Sequence, residues 1–313
     1  MRIFRDWRGL PEDARGAVVA LGNFDGVHLG HAHVLKAAHR ARPQAPLAVL
    51  TFEPHPRELL RPYDRPFRLT LAPARADGLA ALGVEIIYEI PFDNQFSERN
   101  AETFFDEVLH QGIGACHLVC GPDFAFGHRR GGDTHFLAAR AEALGIGLTV
   151  VRPFNDEAGQ LSSSRIRRAL QDGYPERAAL KLGHQWAIRG TVIPGDRRGR
   201  TIGFPTANVL LGRHLEPTRG VYAVMATLAD GRRLRGVANI GRRPTVNAGP
   251  ESILEVNLFD FTGDLYGQEL EVTLLAFLRP ERRFAGIDAL RAQIAIDAAE
   301  ARRVLDLAVP PSP

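Results

Sequence analysis

Two domains of different class are what this sequence predicts: an α/β domain on a doubly wound parallel sheet, then an all-β domain closed by a terminal helix. Three observations carry the prediction. The chain has 313 residues, about twice a typical domain of roughly 150. Its first half alternates short apolar runs with helical patterns, the mark of a parallel sheet with crossover helices. From Trp186 the texture changes to short β-branched runs separated by Gly, Pro, Asn and Asp turns, the pattern of an antiparallel barrel or sandwich.

Taken in order, residues 17–21, 47–52, 84–90, 117–120 and 148–151 read as five strands. They are near-continuous apolar runs, as strands buried on both faces must be. Between them 29–41, 71–82, 99–110 and 134–144 have helical spacing, with Gly83 and Gly145 where a C-cap belongs. A further helix, 163–170, follows the fifth strand. Strand, helix and strand repeated in this way put a ligand site at the carboxyl ends of the strands. The stretch Gln171-Asp172-Gly173-Tyr174-Pro175 and a short helical segment form the join, so the predicted boundaries are 1–170, a linker 171–185, and 186–309. In the second half, Ala229-Asp230-Gly231 and Thr262-Gly263-Asp264 are turns. A last amphipathic helix, 287–307, packs through Ile287, Leu290, Ile294, Ala298 and Leu305. There is no internal repeat.

The net charge is only +3, too small to make a nucleic-acid partner the leading idea. Lys36 and Lys181 are the only lysines, so the basic character is an arginine effect, from coding bias or phosphate recognition. Up to residue 183 there are 22 basic and 22 acidic residues, and beyond it 17 and 14, so the excess lies in the second half. Hydrophobic residues at 45% and charged residues at 24% describe a folded, soluble protein. Cys116 and Cys120 share one apolar run and read as reduced thiols, with no disulfide framework or four-ligand zinc site. The first residues lack an apolar signal region and no later segment has the length of a membrane span, so the cytoplasm is the expected compartment. Self-association is left open.

The stretch Gly22-Asn23-Phe24-Asp25-Gly26-Val27-His28-Leu29-Gly30-His31 follows the first strand and opens the first helix. Orphan N–H groups and the helix dipole make such a junction an anion site. His28 and His31 fall on one side of the helix start, within reach of a phosphate, while Gly30 leaves room for backbone approach. Two imidazoles with backbone amides stabilise charge on a pentacoordinate phosphate without a covalent intermediate. A histidine-rich helix cap, or a metal site that adds His33, are the alternatives.

Other segments converge on the same sheet edge. Thr51-Phe52-Glu53-Pro54-His55-Pro56 ends the second strand, either as a stiffened turn or as an aromatic and proline wall. Gly121-Pro122-Asp123-Phe124-Ala125-Phe126-Gly127 ends the fourth, ahead of Arg129 and Arg130; its rings either hold a planar ligand or anchor a surface loop. Ser163 and Ser164 stand at the start of the next helix as N-caps, and Arg167 one turn inward is placed to clamp a phosphate.

In the second half, Gly195 opens a loop containing Arg197, Arg198 and Arg200, followed by Gly203-Phe204-Pro205-Thr206-Ala207-Asn208. Such a loop wraps phosphates through backbone N–H groups and guanidinium forks, or is a solvated turn. Thr206 and Asn208 share a strand face, either an exposed polar one or two neutral oxygens suited to magnesium. Glu255 sits among alternating apolar residues that point its carboxylate toward a barrel mouth, where a partly buried Glu serves as a general base.

Together these motifs, with Gly220-Val221-Tyr222, 236–245 and Asp264-Leu265-Tyr266-Gly267, resemble the prokaryotic bifunctional riboflavin kinase/FAD synthetases over nearly the whole chain. The resemblance implies an N-terminal HxGH nucleotidyltransferase domain and a C-terminal β-barrel kinase domain with its terminal helix. It implies phosphorylation of riboflavin to FMN by ATP with Mg²⁺, then adenylylation of FMN to FAD with release of pyrophosphate. By it His28 and His31 support adenylyl transfer, and Gly22, Asn23, Phe24, Gly30, Ser163, Ser164 and Arg167 bind ATP. Phe52, Pro54, Pro56, Asp123 and Phe126 line the flavin side. In the kinase module Gly195, Arg200, Gly203, Thr206 and Asn208 bind ATP, the last two with the metal; Gly220 and Tyr222 contact flavin, and Glu255 activates the ribityl 5′-hydroxyl. Departures from the family pattern are Ala32 for Gln, His128 for Lys and Ser163-Ser164 for Ser-Thr. A flavin-binding regulator without turnover, or an HxGH nucleotidyltransferase with another acceptor, are the competing functions; the first conflicts with His28, His31, Asn208 and Glu255 all being present, and the second leaves the second half unexplained.

Overall fold

The computed structural model describes residues 1–157, 159–195, 204–243 and 251–308. Arg197, Arg198, Arg200, Gly203, Pro244 and Thr245, singled out above, lie outside the described residues. By packing, the chain divides into two units: Met1–Asp64 with Thr70–Ser162, and Arg65–Leu69 with Ser163–Pro313.

The first unit runs β1 (Arg2–Phe4), β2 (Val18–Leu21), α1 (Leu29–Ala41), β3 (Leu47–Glu53), α2 (Pro56–Leu60), α3 (Ala72–Ala81), β4 (Ile86–Pro91) and α4 (Asn94–Ser97). It continues with α5 (Ala101–Thr103), a π-helix (Phe104–Gly112), β5 (His117–Cys120), α6 (Thr134–Ala143), β6 (Gly147–Val150) and a hairpin, β7 (Asn155–Asp156) with β8 (Gly159–Gln160). Six strands form one sheet in the order β1-β4-β3-β2-β5-β6, and every pairing is parallel. The sequence predicts five of these strands; the sixth, β1, is three residues at the edge, too short to show an alternation. The helix predicted at 99–110 is instead α5 followed by the π-helix. The wider turn seats Phe104, Phe105, Val108 and Leu109 together in the core, and it brings Gly112 so close to Trp7 that a Cβ there would meet the indole at 2.6 Å. One buried cluster covers each sheet face, with Trp7, Phe105, Ile113 and Leu118 in one and Leu35, Val49, Leu79 and Ile87 in the other.

The strand order reverses direction between β2 and β5, which pair side by side. Chain segments leaving the carboxyl ends of two such strands part to opposite sides and open a crevice, the usual ligand position in doubly wound sheets. The segments that leave here are the HxGH turn after β2 and the Gly121-Pro122-Asp123 loop after β5.

The second unit begins with α7 (Ser163–Gln171) and α8 (Pro175–Leu182), continues through β9 (Ala187–Ile193), β10 (Ala207–Leu210), β11 (Gly220–Leu228), β12 (Arg233–Arg243), β13 (Glu251–Leu258) and β14 (Glu269–Pro280), and ends in α9 (Ile287–Ala308). The six strands close into an antiparallel barrel, ordered β10-β13-β12-β11-β14-β9, which decides between barrel and sandwich. Tyr222, Val224, Ile240, Leu254 and Val256 are buried, while on the alternate face Val221, Ala223 and Val237 pack with Phe259 against Ala301 and Leu305 of α9. Ile287, expected to pack, is exposed; it stands at the first position of α9, and the buried stripe runs through later turns. Residues 65–69 belong to this unit: the buried Trp186 Nε1 donates to the Leu69 carbonyl at 2.8 Å, and Leu215 N donates to Arg68 O at 2.8 Å. Among the described residues no helix is long and apolar enough to cross a membrane.

Candidate active sites

In the first unit, α1 starts at a histidine cap. The His28 Nδ1 accepts from the His31 backbone N–H at 3.3 Å, and the His31 Nδ1 accepts from the His28 backbone N–H at 3.2 Å. This reciprocal arrangement satisfies orphan donors of the helix start. It also settles the tautomers: a ring whose Nδ1 is an acceptor carries its proton on Nε2 when neutral. The rings stack with centroids 3.6 Å apart and 17° between planes. Burial, reinforced by the neighbouring His28, pulls the His31 pKa well below the ordinary histidine value, so His31 is neutral at neutral pH. His31 therefore presents an N–H donor rather than charge. Gly30 is needed for the packing, because a Cβ there would lie 3.0 Å from His28 Cε1 and Nδ1.

The turn before this cap is strained. Phe24 and Val27 have φ of 51° and 43°, left-handed conformations that cost an L-residue about 1–2 kcal/mol each. Phe24 is buried with its ring 5.0 Å from that of His31, so it backs the histidine rather than facing the crevice. Asn23 O accepts from the buried Thr51 Oγ1 at 3.2 Å. Of the proposed metal set, His33 instead packs against Phe154, and no group of three potential ligands occurs among the described residues.

At the β2/β5 crevice a cavity of about 370 Å³ collects Gly22, Asn23, Phe52, Pro56, Asp123 and Phe126. These are six predicted nucleotide- and flavin-side residues, brought together from three separate loops. The cavity also takes in Phe124 and Arg130 of the loop singled out after the fourth predicted strand, and Phe92, Phe96, Phe104 and Arg99, which the sequence reading did not name for a site. Their rings interlock: Phe52 meets Phe92 at 5.4 Å, and Phe126 meets Phe104 at 5.3 Å. An aromatic-walled slot of this kind suits a flat conjugated ring. Pro54 does not line it; it follows the cis Glu53–Pro54 bond. Arg75, buried on α3, braces the end of β3 by donating to Glu53 at 3.1 Å, to Glu89 at 3.0 Å and to the Phe52 carbonyl at 3.3 Å.

Ser163, Ser164 and Arg167 stand on α7 in the second unit. Arg167 Nε donates to Phe67 O at 2.8 Å, and its guanidinium lies 5.2 Å over the Phe67 ring.

The barrel carries its own cavity, also about 370 Å³, lined by Thr206, Val221, Asn239, Glu255, Asn257 and residues of α9 that include Leu290 and Ile294. Register explains part of the lining: Asn239 of β12 lies opposite Glu255 of β13, as does Asn208 of β10, which does not itself line the cavity, and opposed residues share a face. A polar row thus crosses three strands on the face that α9 covers. Glu255 is exposed on that outer face, a correction to the partly buried carboxylate in a barrel mouth that its strand pattern suggested. Tyr222, one residue out of phase with Val221, is buried on the opposite face, where its hydroxyl donates to Thr218 O and its ring packs 5.1 Å from Phe277. Gly220 has φ of 144°, and a Cβ there would meet Arg279 O at 2.2 Å. Asn208 is buried against Gly195, where a Cβ would come within 2.3 Å of its amide nitrogen. Across the cavity Arg279 forms a bidentate pair with Asp297 of α9 at 2.8 and 2.6 Å, a contact that sequence spacing alone could not reveal.

A parallel sheet whose switch point presents stacked imidazoles beside an aromatic slot, with a separate barrel bearing a carboxylate and neutral oxygens, defines a two-module transferase. The comparisons agree with it. The FAD synthetase family model matches residues 10–165 and the riboflavin kinase family model residues 182–305. A bifunctional riboflavin kinase/FMN adenylyltransferase of Escherichia coli (strain K12) is 40% identical over 99% of this chain and its own full length. That of Bacillus subtilis (strain 168) is 39% identical over 94% of each chain. A crystal structure described as a macrolide-efflux protein from Streptococcus pneumoniae superposes with a TM-score of 0.84 at 33% identity, covering 96% of this chain and 98% of the other. The chain belongs to the bifunctional riboflavin kinase/FMN adenylyltransferases.

Proposed function

We propose that the barrel unit phosphorylates riboflavin with ATP to give FMN, and that the sheet unit adenylylates FMN with a second ATP to give FAD and pyrophosphate. The observation that carries this is one cavity in each unit, each gathering residues predicted for its own reaction, with one family model on each. Residues 1–170 are taken as the adenylyltransferase module, 171–185 as the linker and 186–309 as the kinase module.

In adenylyl transfer the aromatic slot takes the isoalloxazine ring, and the Nε2–H groups of His28 and His31 donate to the α-phosphate as its charge builds up. Fixed donors suit this task, because they need no reorganisation as the transition state forms. Ser163, Ser164 and Arg167 are assigned to ATP phosphates. In the kinase module Glu255 takes the proton from the ribityl 5′-hydroxyl. The hydroxyl of Thr206 and the amide oxygen of Asn208, whose side chain Gly195 leaves room for, are hard neutral donors that fit Mg²⁺ keeping most of its ligands from water and phosphate. Bound there, the metal would supply charge neutralisation on ATP. Small-molecule substrates and two free thiols, Cys116 and Cys120, fit the cytoplasm.

Incubation with riboflavin, ATP and Mg²⁺, followed by chromatography over time, tests the order. FMN should rise first and FAD follow at its expense; FAD without FMN, or no turnover of either flavin, would contradict the proposal.

A further inference from the structure

The mechanism uses His28 and His31 but leaves open what keeps the strained turn ahead of them in place. Phe24 and Val27 are both left-handed without being glycine, and Val is among the residues least suited to that region. The turn closes on itself through the Val27 N–H, which donates to Phe24 O at 3.2 Å, but two left-handed non-glycine residues also need supporting contacts from outside it. The structure shows them. Thr70, just ahead of α3, donates its backbone N–H to the Asp25 carboxylate at 3.0 Å, and its Oγ1 accepts from the Gly26 backbone N–H at 2.9 Å. Both residues are buried, Asp25 at 2% and Thr70 at 9% exposure. The two bonds cross: each partner supplies one side-chain acceptor and one backbone donor lies opposite it. Farther along α3, Gly78 admits the Val27 side chain, whose methyl would lie 3.2 Å from a Cβ at that position. The turn is therefore gripped at Asp25 and Gly26 and seated at Val27, directly before the His28 cap.

We infer that Asp25 and Thr70 are positioning residues for adenylyl transfer: their crossed hydrogen bonds hold the left-handed turn, and through it the placement of the His28–His31 pair against the α-phosphate. The inference rests on the proposed role of the two histidines. Neither residue lines the flavin cavity, so the clip acts on the rate of the chemical step and not on flavin affinity. Thr70 is also the more informative of the two, since replacing it by Val removes a single acceptor while nearly preserving shape, and leaves its N–H bond to Asp25 intact.

The test is steady-state FAD synthesis from FMN and ATP by Thr70→Val, Thr70→Ser, Asp25→Ala and His31→Ala, with riboflavin phosphorylation in the same preparations as the control for folding. Thr70→Val should lower kcat at least tenfold with KM for FMN within twofold of wild type, and Asp25→Ala should lower it further. Thr70→Ser, which restores the acceptor, should recover kcat to within about threefold, and riboflavin kinase activity should be unchanged in all four. A Thr70→Val enzyme with wild-type kcat would overturn the clip, as would a loss that Thr70→Ser shares. If His31→Ala itself retains full FAD synthesis, it is the histidine assignment that fails.

Discussion

The two cavities are similar in volume and are built in opposite ways. In the sheet unit the reacting groups come from one unbroken stretch of chain at the β2/β5 switch point, and backbone N–H groups lock the imidazoles. In the barrel unit the polar row of Asn208, Glu255 and Asn239 comes from three strands, and α9 supplies part of the cavity wall through Leu290, Ile294 and Asp297. In one site the reacting groups sit on a single turn, in the other on separate strands beneath a docked helix. The two should consequently fail differently when perturbed.

The largest effect is expected at the buried ion pair that ties α9 to β14 beside the barrel cavity. Arg279 and Asp297 keep only 12% and 7% of their side chains exposed, and leaving one member of such a pair buried alone costs about 3–5 kcal/mol. Asp297→Ala should loosen α9, cut riboflavin phosphorylation severely and lower the melting transition of the barrel unit. FAD synthesis from supplied FMN should stay near wild type. Calorimetry with separate assays of the two activities would show this, and equal loss of both activities would remove the contrast.

An intermediate effect belongs to Gly30. An added Cβ presses on the His28 ring at 3.0 Å, and small misplacements of a catalytic group cost roughly tenfold to a hundredfold in rate. Gly30→Ala should therefore slow FAD synthesis by about that factor without unfolding the protein. Kinetics on FMN, with the riboflavin kinase rate as reference, decide it; an unaltered rate would show that the ring has room to move.

The smallest effect concerns pH. Because burial, reinforced by the neighbouring His28, holds His31 well below the ordinary histidine value of about 6.5, the unfolded chain takes up a proton there before the folded one does. Stability from this group is constant above pH 6.5 and falls as pH drops below it, by about 1.4 kcal/mol per pH unit until the folded value is reached. His31→Asn should flatten that part of the stability curve. Thermal melts of both proteins from about one pH unit above to about one and a half below the ordinary histidine value would measure it, and parallel curves would contradict the assignment.

The same contrast governs how much could be read from sequence. The α1 boundaries at Leu29–Ala41 and strand β5 at His117–Cys120 follow directly from periodicity and caps. The HxGH stretch is legible because its function is local, and family resemblance brought in Phe52, Pro56, Asp123 and Phe126 of the slot. Phe92, Phe96 and Phe104 were not legible, since they come from three further segments that only the fold brings together. The π-helix escaped because one extra residue in a turn leaves an apolar pattern nearly helical. Tyr222 shows the limit in strands: alternation separates it from Val221, but which of the two faces the cavity depends on barrel register. Glu255 could be singled out, yet whether it faced the barrel interior or α9 depended on that same register.

The central claim is that two separate sites carry the two reactions. His31→Ala and Glu255→Ala, each incubated once with riboflavin and once with FMN in the presence of ATP and Mg²⁺, test it most directly by chromatographic separation of the flavins. His31→Ala should make FMN and no FAD from either substrate; Glu255→Ala should make no FMN from riboflavin yet convert supplied FMN to FAD. Equal loss of both products in both variants would contradict the account.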